Sequence, residues 1–363
     1  MRAHDVSQAS IQRDSILSVA ISLVERGLIP DIITRSAIKR LIEQRLKQDA
    51  ENTTVEGKAQ FIEEMSRSQL AENTSDANHQ HYEVPTAFFK LMLGSHLKYS
   101  CALFETESDD LSTAEETMLA LSCERAELQD QQSILELGCG WGSLTLFMAK
   151  HYPGATITAV SNSTTQREFI EDAALQRGLS NIEVITADMN DFAIDKQFDR
   201  VVSIEMFEHM RNHKTLFDRI DNWLKPTGKL FFHIFCHRNM PYFFEPKSDD
   251  DWMAKHFFTG GVMPSFDLPQ HFETLALKQI NAWQVNGMNY AYTCQAWLNN
   301  LDNARQAAME ALQASGNPES VTVQLNRWRM FVMACQELFA YSGGDEWFVG
   351  HYLFAKSEPT DNH

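Results

Sequence analysis

Between about residues 133 and 234, short apolar runs alternate along the chain with segments whose apolar residues recur at helical spacing. The apolar runs predict five strands, Ser133–Leu137, Thr156–Val160, Ile182–Thr186, Phe198–Ile204 and Lys229–Ile234. The segments between them predict helices through Tyr152, over Thr165–Gly178 and over Leu216–Leu224. Strands that alternate with helices predict an α/β domain with a parallel sheet covered on both faces. Ligands of such sheets bind beyond the carboxyl ends of the strands.

The segment before about residue 70 has the pattern of helices. One predicted helix carries Ile16, Leu17, Val19, Ala20, Leu23 and Val24 and ends at Gly27 and Pro30, and a second carries Ile38, Leu41, Ile42 and Leu46. Residues 71–80 are polar and are typical of a linker. We therefore expect an N-terminal helical extension over residues 1–77, with a single large domain over residues 78–363.

The segment after the fifth strand is less regular. Residues 241–267 are rich in aromatic, acidic and glycine residues, which is typical of a lid or a substrate wall. Helical spacing predicts helices over Ala296–Leu312 and Val321–Phe339, and an alternating pattern predicts a last strand over Trp347–Ala355. We expect these parts to form a substrate cap, inserted at about 238–275 and 296–340.

Composition narrows the class of protein. The 363 residues are 44% hydrophobic, yet no run of about 18 apolar residues predicts a membrane span, and the first residues lack the order of a signal peptide. The six cysteines form no CxxC pair, which predicts reduced thiols and a cytoplasmic protein. The net charge of −18 disfavours nucleic acid and anionic lipid surfaces and favours a cationic small molecule, although it is equally explained by solubility. The oligomeric state is left open, with a homodimer among the alternatives.

A glycine-rich loop, Gly138-Cys139-Gly140-Trp141-Gly142, follows the first predicted strand and opens a helix. Such a loop brings bare backbone close to a ligand at a helix N-terminus. A nicotinamide site would need an acid about 20 residues on, at the end of the next strand, where the chain has none. After the third strand, Asp188 and Met189 could contact a purine, or be a turn aspartate and a core methionine.

Four motifs carry a family resemblance. They are His81-Tyr82-Glu83, Tyr99-Ser100-Cys101-Ala102, the loop from Glu136 to Gly142, and Met206-Phe207-Glu208-His209. In this order the chain resembles the cyclopropane fatty-acid synthase superfamily from about Asn78 to its C-terminus. The resemblance implies a seven-stranded class I (Rossmann-like) methyltransferase sheet that uses S-adenosylmethionine and releases S-adenosylhomocysteine (SAH). It implies that the cofactor is bound by Tyr99, Ser100, Gly138, Gly140, Asn162, Gln166, Asp188, Met189 and Ile204.

Within the superfamily, other segments resemble the coclaurine-type N-methyltransferases. These segments are Ile204–Met210, His233–His237, Phe257–Pro264 and Gly343–Trp347. Lipid cyclopropane synthases typically carry glycine where this chain has Glu205. The likeness therefore favours methylation of a small hydrophobic or aromatic amine.

The catalytic prediction rests on Glu205, Glu208 and His209, which follow the fourth strand. An amine attacks a methyl group only when it is neutral, so a base must take its proton, and two neighbouring carboxylates raise one pKa. The resemblance implies that Glu208 and His209 form the base pair and that Glu205 binds the amine. One alternative is that the acids only complement the dipole at the start of a helix. The other is a metal site formed with His213, although the rest of the usual HExxH pattern is absent. We predict no metal.

The walls of the substrate site are predicted to be aromatic, since aromatic faces attract amine cations. The predicted substrate-binding residues are Tyr82, His233, Phe235, Tyr290, Trp328 and Phe331, with Trp283 as a further aromatic wall. Many such aromatics would equally be core residues.

Two other functions stay open. In the synthases, residues matching Cys101, Glu208, His233 and Tyr290 surround a bicarbonate that acts as base, which implies a cyclopropane fatty-acyl-phospholipid synthase or lipid C-methyltransferase as the alternative. The other alternative is a cofactor-binding sensor without catalysis.

Overall fold

The computed structural model describes residues 17–72, 84–106, 108–246 and 251–356. Its strands are β1 Ser133–Leu137, β2 Thr156–Ser161, β3 Ile182–Thr186, β4 Phe198–Ile204, β5 Leu224–His237, β6 Tyr242–Phe243, β7 Val262–Met263, β8 Leu277–Val285 and β9 Trp347–Lys356. Seven of them form one sheet in the order β3-β2-β1-β4-β5-β9-β8, and β6 pairs with β7. The predicted seven-stranded α/β sheet is therefore confirmed.

The helices are α1 over residues 17–25, α2 Asp31–Gln48, α3 Val55–Arg67, α4 Thr86–Met92, α5 Leu111–Arg125, α6 Ser143–His151, α7 Thr164–Arg177, α8 His213–Trp223, α9 Trp252–His256, α10 Met288–Asn303, α11 Arg305–Gln313 and α12 Val321–Ala340. Within the described residues, no helix is long and apolar enough to cross a membrane.

Successive residues of the central strands pack into two different cores, because side chains of a strand alternate between the faces of a sheet. Leu135 of β1, Val201 of β4 and Phe232 of β5 pack with Leu216, Phe217 and Ile220 of α8. Their neighbours Ile134, Val202 and Phe231 pack on the other face with Leu119, Cys123, Leu144, Phe147 and Met148 of α5 and α6. Both faces are thus covered by helices, as predicted.

The N-terminal extension packs on the cap. Apolar residues of α1 and α2 share one core with α4 and with the cap helices α10, α11 and α12. Ion pairs join the same parts, since Arg35 pairs with Glu337 at 2.6 Å and Arg329 with Asp31 at 2.8 Å. The predicted boundary between residues 77 and 78 lies outside the described residues.

The structure corrects several predictions in the C-terminal third. Residues 296–312, predicted as one helix, belong to α10 and α11, which are separated at Ala304. Helix α10 begins early, at Met288, after a glycine at which a Cβ would lie 2.1 Å from the Trp347 carbonyl oxygen. The predicted parallel sheet holds for β1–β5, whereas β9 lies antiparallel between β5 and β8. Strand β8 and helices α3, α4 and α5 were not predicted.

Candidate active site

A large pocket lies at the carboxyl ends of β1, β2 and β4, and residues of α10 and α12 also line it. We call one side the strand-end half, and its walls include Gly138, Gly140, Asn162, Gln166, Asp188, Met189 and Ile204. The opposite side is the cap half, and its walls include His209, Phe235, Phe244, Phe258, Tyr290, Phe331 and Phe339. Most residues that the sequence predicts for the cofactor and the substrate therefore line one continuous pocket.

The glycine loop shapes the strand-end half through its backbone. Gly138 and Gly140 have φ of 76° and 52°, a left-handed conformation that glycine adopts without strain. A Cβ on Gly138 would lie 2.5 Å from Cγ of Met206, whereas a Cβ on Gly140 would meet no described atom within 4 Å. Gly140 lines the pocket, so its bare backbone faces the space that a ligand would fill.

Polar groups around the loop suit a cationic, hydroxyl-bearing ligand. Burial raises the pKa of Glu136 to about 8, and its carboxyl accepts a hydrogen bond from Thr145. A bound positive charge would favour the ionised form of this carboxyl. The buried Ser143 hydroxyl, also on the pocket wall, has no hydrogen-bond partner among the described residues. These groups, with the open Gly140 backbone, fit S-adenosylmethionine.

The ends of β2 and β3 complete the strand-end half. Gln166 is buried, and its Oε1 accepts a hydrogen bond from the Ser161 hydroxyl at 2.7 Å. Asp188 accepts from the backbone N–H of Asn190 at 2.8 Å, so it is a turn aspartate that also lines the pocket. Met189 is likewise both a core residue and a wall residue.

Tyr99 and Ser100 line the pocket beside a buried lysine that the sequence analysis did not single out. Nζ of Lys98 donates to the Ser100 hydroxyl and to the carbonyl oxygen of Cys101, the latter at 2.7 Å. Only 2% of Lys98 is exposed. Burial lowers the pKa of its ammonium group, while the nearby Glu205 carboxylate opposes that shift. No pattern in the sequence marks this lysine, because its partners come from the fold.

Glu205 is held on the pocket wall by three donors. Its Oε1 accepts from the backbone N–H of Cys101 at 3.0 Å and lies 3.0 Å from Nε2 of His233, which donates when the imidazole carries its proton on that nitrogen. Its Oε2 accepts from the Tyr290 hydroxyl at 2.7 Å. The residue has φ of 48°, which is strained for a side chain other than glycine and is typical of functional sites. Its own N–H donates to the carbonyl oxygen of His233 at 2.8 Å, which locks this conformation.

Glu208 differs from Glu205 although the two are three residues apart. Glu208 is fully buried in the short 3-10 turn Phe207–His209 and is absent from the residues that line the pocket. Its Oε1 accepts from the backbone N–H of Phe235 at 2.7 Å, and its Oε2 has no partner among the described residues. Burial and the Glu205 charge raise the pKa of Glu208 well above its ordinary value.

The pKa of Glu205 is raised by burial, but the Lys98 charge and the Cys101 and Tyr290 hydrogen bonds oppose that rise. Of the two carboxyls, Glu205 is therefore the one that ionises more readily. His209 reaches the same pocket, with its ring stacked on Phe258 at a centroid distance of 6.0 Å. The pocket thus presents the Glu205 carboxyl and the His209 imidazole, with the more weakly acidic carboxyl of Glu208 behind them.

The predicted aromatic walls are only partly assembled. Phe235, Tyr290 and Phe331 line the cap half. Trp328 lies behind Phe331, with the ring centroids 5.9 Å apart, and His233 lies behind Glu205. Trp283 does not reach the pocket, because edge strand β8 carries it against Arg125, whose guanidinium lies 5.0 Å from the ring centroid. Tyr82 lies outside the described residues.

The structure changes the expected roles of His213 and of the N-terminal extension. His213 does not face the pocket, because its ring is buried beside Phe272 and its Nε2 lies 2.8 Å from the Phe207 carbonyl oxygen; it therefore forms no site with His209. Conversely, the N-terminal extension, to which no chemistry was assigned, supplies Ala71 and Glu72 to the pocket wall. The amide of Asn190 holds Ala71 there by contacts of 3.0 and 3.1 Å to its backbone.

Comparison with known families matches residues 69–345 to the mycolic acid cyclopropane synthetase family. The (S)-coclaurine N-methyltransferase of Thalictrum flavum subsp. glaucum is 35% identical over 351 residues, which are 95% of this chain and 97% of that protein. The cyclopropane-fatty-acyl-phospholipid synthase of Escherichia coli (strain K12) is 30% identical over 221 residues, which are 60% of this chain and 54% of the synthase.

A solved structure of a coclaurine N-methyltransferase is also similar to this chain. A crystal structure of coclaurine N-methyltransferase bound to N-methylheliamine and SAH superposes with a TM-score of 0.87 at 33% identity, and the match covers 94% of this chain and 99% of that chain. The resemblance inferred from the sequence motifs is therefore confirmed.

Proposed function

This chain belongs to the mycolic acid cyclopropane synthetase family and is an S-adenosylmethionine-dependent methyltransferase, and we propose that Glu205 directs its methyl transfer to the nitrogen of a small hydrophobic or aromatic amine. The observation that carries this proposal is the Glu205 carboxylate on the pocket wall, which accepts from Cys101, His233 and Tyr290. A buried carboxylate facing an aromatic pocket suits a cationic, apolar substrate.

Recognition of the amine combines charge with aromatic surface. An ammonium group entering the pocket meets Glu205, and the apolar body of the substrate packs on the rings of the cap half. Cation–π attraction to such rings contributes about 0.5–2 kcal/mol, more when water is excluded. Phe331 is a suitable face because it is itself fixed by stacking on Phe257, with the ring centroids 4.0 Å apart.

The reaction requires removal of one proton from the ammonium group. When bound, S-adenosylmethionine supplies the electrophilic methyl group. Glu205 accepts the amine proton, because burial raises the pKa of this carboxyl and makes it a stronger base than an exposed one. His209, on the same wall, is the second proton acceptor within the pocket. Burial and the Glu205 charge favour the neutral form of Glu208, which supports the turn that carries His209 by accepting from the Phe235 N–H.

The lipid alternative is weakened by the same geometry. Cys101, His233 and Tyr290 are three of the four residues, with Glu208, that match those surrounding bicarbonate in the synthases. Here all three donate to the Glu205 carboxylate. A side chain thus uses the donors that a bound bicarbonate would need, which favours an amine over an acyl chain as the acceptor.

The cysteines support a cytoplasmic location for this activity. All six are free and buried, and the structure contains no disulfide among them. Reduced thiols are typical of a reducing compartment. We therefore place the proposed methylation in the cytoplasm.

The test is methyl transfer from S-adenosylmethionine, followed by mass spectrometry. One series contains phenethylamines and tetrahydroisoquinolines, and a second contains vesicles of unsaturated phospholipid. We expect a methylated amine in the first series, and loss of at least about 100-fold in kcat/KM for Glu205→Gln, the range over which a general base contributes. The exposed Glu183 provides the matched control, since Glu183→Gln removes the same charge outside the pocket. Modified acyl chains together with unmodified amines would overturn the proposal.

A further inference from the structure

A chain of hydrogen bonds runs from Glu205 through the sheet to helix α5. Nε2 of His233 lies 3.0 Å from Oε1 of Glu205, and Nδ1 of His233 lies 3.0 Å from Nε2 of His351. Nδ1 of His351 lies 2.9 Å from a guanidinium nitrogen of Arg125. His233 and His351 are paired across the antiparallel strands β5 and β9, and neither ring is exposed.

The chemistry of Arg125 gives this chain a direction. A guanidinium has only donors, so Nδ1 of His351 must be the acceptor and Nε2 of His351 must carry the proton. Nε2–H of His351 then donates to Nδ1 of His233, and the proton of His233 is on Nε2, where it donates to Glu205. One obligate donor at the far end thereby determines both tautomers.

We propose that Arg125 and His351 are positioning residues for methyl transfer, which hold His233 in the Nε2–H tautomer and so keep Glu205 an oriented, ionised acceptor for the amine proton. The inference rests on the proposed function of Glu205. It assigns a role to two residues that do not line the pocket. It also explains why a partly buried arginine is aimed at a buried histidine rather than at a carboxylate.

The charges around this chain of hydrogen bonds favour the neutral imidazoles of His233 and His351. Burial lowers the pKa of His233 and His351 well below the ordinary value, and the Lys98 and Arg125 charges add to this effect. Around Glu205, the other titratable groups among the described residues are Lys98, Cys101, Glu208, His209, Tyr290, Cys294 and Cys335. Near Arg125, the charge that favours its protonated form is Glu124. None of these described groups is hydrogen-bonded to Nδ1 of His233, so His351 is the group that determines which nitrogen of His233 carries the proton.

Without the Arg125 guanidinium, the tautomers of His351 and His233 would no longer be fixed. Glutamine at position 125 can donate or accept, so His351 could carry its proton on Nδ1 and His233 could then do the same. In that arrangement Nε2 of His233 would accept a proton from Glu205 rather than donate to it. The neutral form of Glu205 would be favoured, and its pKa would rise. The activity that needs ionised Glu205 would then be lost at a higher pH than in the wild type.

The experiment compares Arg125→Gln, Arg125→Lys and wild type in two measurements. The first is the pH profile of kcat/KM for the methylated amine, with the affinity for SAH measured alongside. We expect Arg125→Gln to move the acid limb to higher pH and to lower kcat/KM about tenfold at the acid end, which is the factor for a shift of one pKa unit. SAH affinity should not change. Arg125→Lys, whose side chain also only donates, should keep the acid limb at its wild-type pH.

The second measurement needs no substrate. Long-range ¹H–¹⁵N spectra of the histidine rings report the tautomers, with His351→Gln used for assignment. We expect Nε2–H for both rings in the wild type and a mixture in Arg125→Gln. Another tautomer in the wild type overturns the inference, as does an acid limb that Arg125→Gln leaves in place. If no amine is methylated, the proposed function fails, and the spectra still decide whether Arg125 sets the tautomers.

The matched control is Arg200, a buried arginine that contacts the residues directly after α5. Its guanidinium donates to the carbonyl oxygens of Ala126, Glu127 and Asp199 and is not linked to Glu205. Arg200→Gln should lower the thermal midpoint without moving the acid limb. An equal shift of the limb in Arg200→Gln would show that Arg125 acts only through stability, and would overturn the inference.

Discussion

The strand-end half and the cap half share one pocket but are built in different ways. The strand-end half is formed by residues at the end of β4 and within a few residues after β1, β2 and β3, so each wall residue is close in sequence to its strand. The cap half collects side chains from β5, the lid region and helices α10 and α12, which are far apart in sequence. The strand-end half can therefore keep the same cofactor while substitutions in the cap half change which methyl acceptor is bound.

The two halves also use different chemistry. The strand-end half presents backbone and small polar groups, which recognise a ligand by close approach. The cap half presents aromatic rings around one oriented carboxylate. Damage to the strand-end half should therefore reduce cofactor binding, and damage to the cap half should reduce the use of the amine. Each prediction below tests that separation.

The largest separating effect is expected at Gly140. Gly140→Ala should weaken SAH binding about tenfold or more, equivalent to ~1.4 kcal/mol, because the new methyl group enters the ligand space. Gly178→Ala is the matched control, since Gly178 also has positive φ and an open Cβ position but lies outside the pocket. Calorimetric titration with SAH should separate the two variants, while thermal unfolding should show both to be destabilised by the strained φ. Equal SAH affinity in both variants would contradict the account of the loop.

A smaller and opposite effect is expected at Phe331. Phe331→Ala should raise KM for the amine roughly tenfold, within the range of a desolvated cation–π contact, and leave SAH affinity unchanged. Steady-state kinetics checks the first expectation and titration checks the second. Phe331→Leu, which keeps an apolar wall without a ring face, should restore little of the loss. Full recovery in the leucine variant would show that apolar contact alone accounts for the role of Phe331.

The smallest effect is expected at Glu208. Because burial and the Glu205 charge favour the neutral form of Glu208, Glu208→Gln keeps an uncharged acceptor for the Phe235 N–H. We expect kcat/KM to change less than about threefold, within the ordinary effect of a small stability change. Glu208→Ala should lose more, because it leaves that N–H without its acceptor. A loss of 100-fold in the glutamine variant would assign the proton to Glu208 instead of Glu205.

The same contrast explains which parts of the molecule could be predicted from sequence. β1, β3 and β4 have the predicted bounds, and β2 differs by one residue, because buried strands that end at glycine or at turns are defined by local pattern. Strand β8 was missed because its burial does not alternate cleanly and its place beside β9 comes from distant pairing. The break at Ala304 lies within a continuous helical pattern and is not marked by glycine or proline.

The site shows the same limit. The residue types at Glu205, Glu208 and His209 predicted acid–base chemistry, but spacing cannot tell which carboxylate faces the ligand. That outcome depends on the positive φ of Glu205 and on donors that arrive from α10, β5 and the segment after α4. Trp283, which was predicted as an aromatic wall, lies outside the pocket because a remote element supplies its neighbour Arg125. Lys98 was not predicted, because its burial and its closeness to Glu205 come from the fold.

The central claim is that the Glu205 carboxylate, held by Cys101, His233 and Tyr290, directs methyl transfer in this pocket to an amine. The most direct measurement is rescue of Glu205→Gly, a substitution that suits φ of 48° and leaves the three donors around an open space. Amine methylation should fall at least about 100-fold and should recover in part when formate or bicarbonate is added, whereas Glu205→Gln, whose amide fills that space, should not recover. Wild-type rates in Glu205→Gly without an added anion, or no recovery with either anion while SAH binds normally, would contradict the claim.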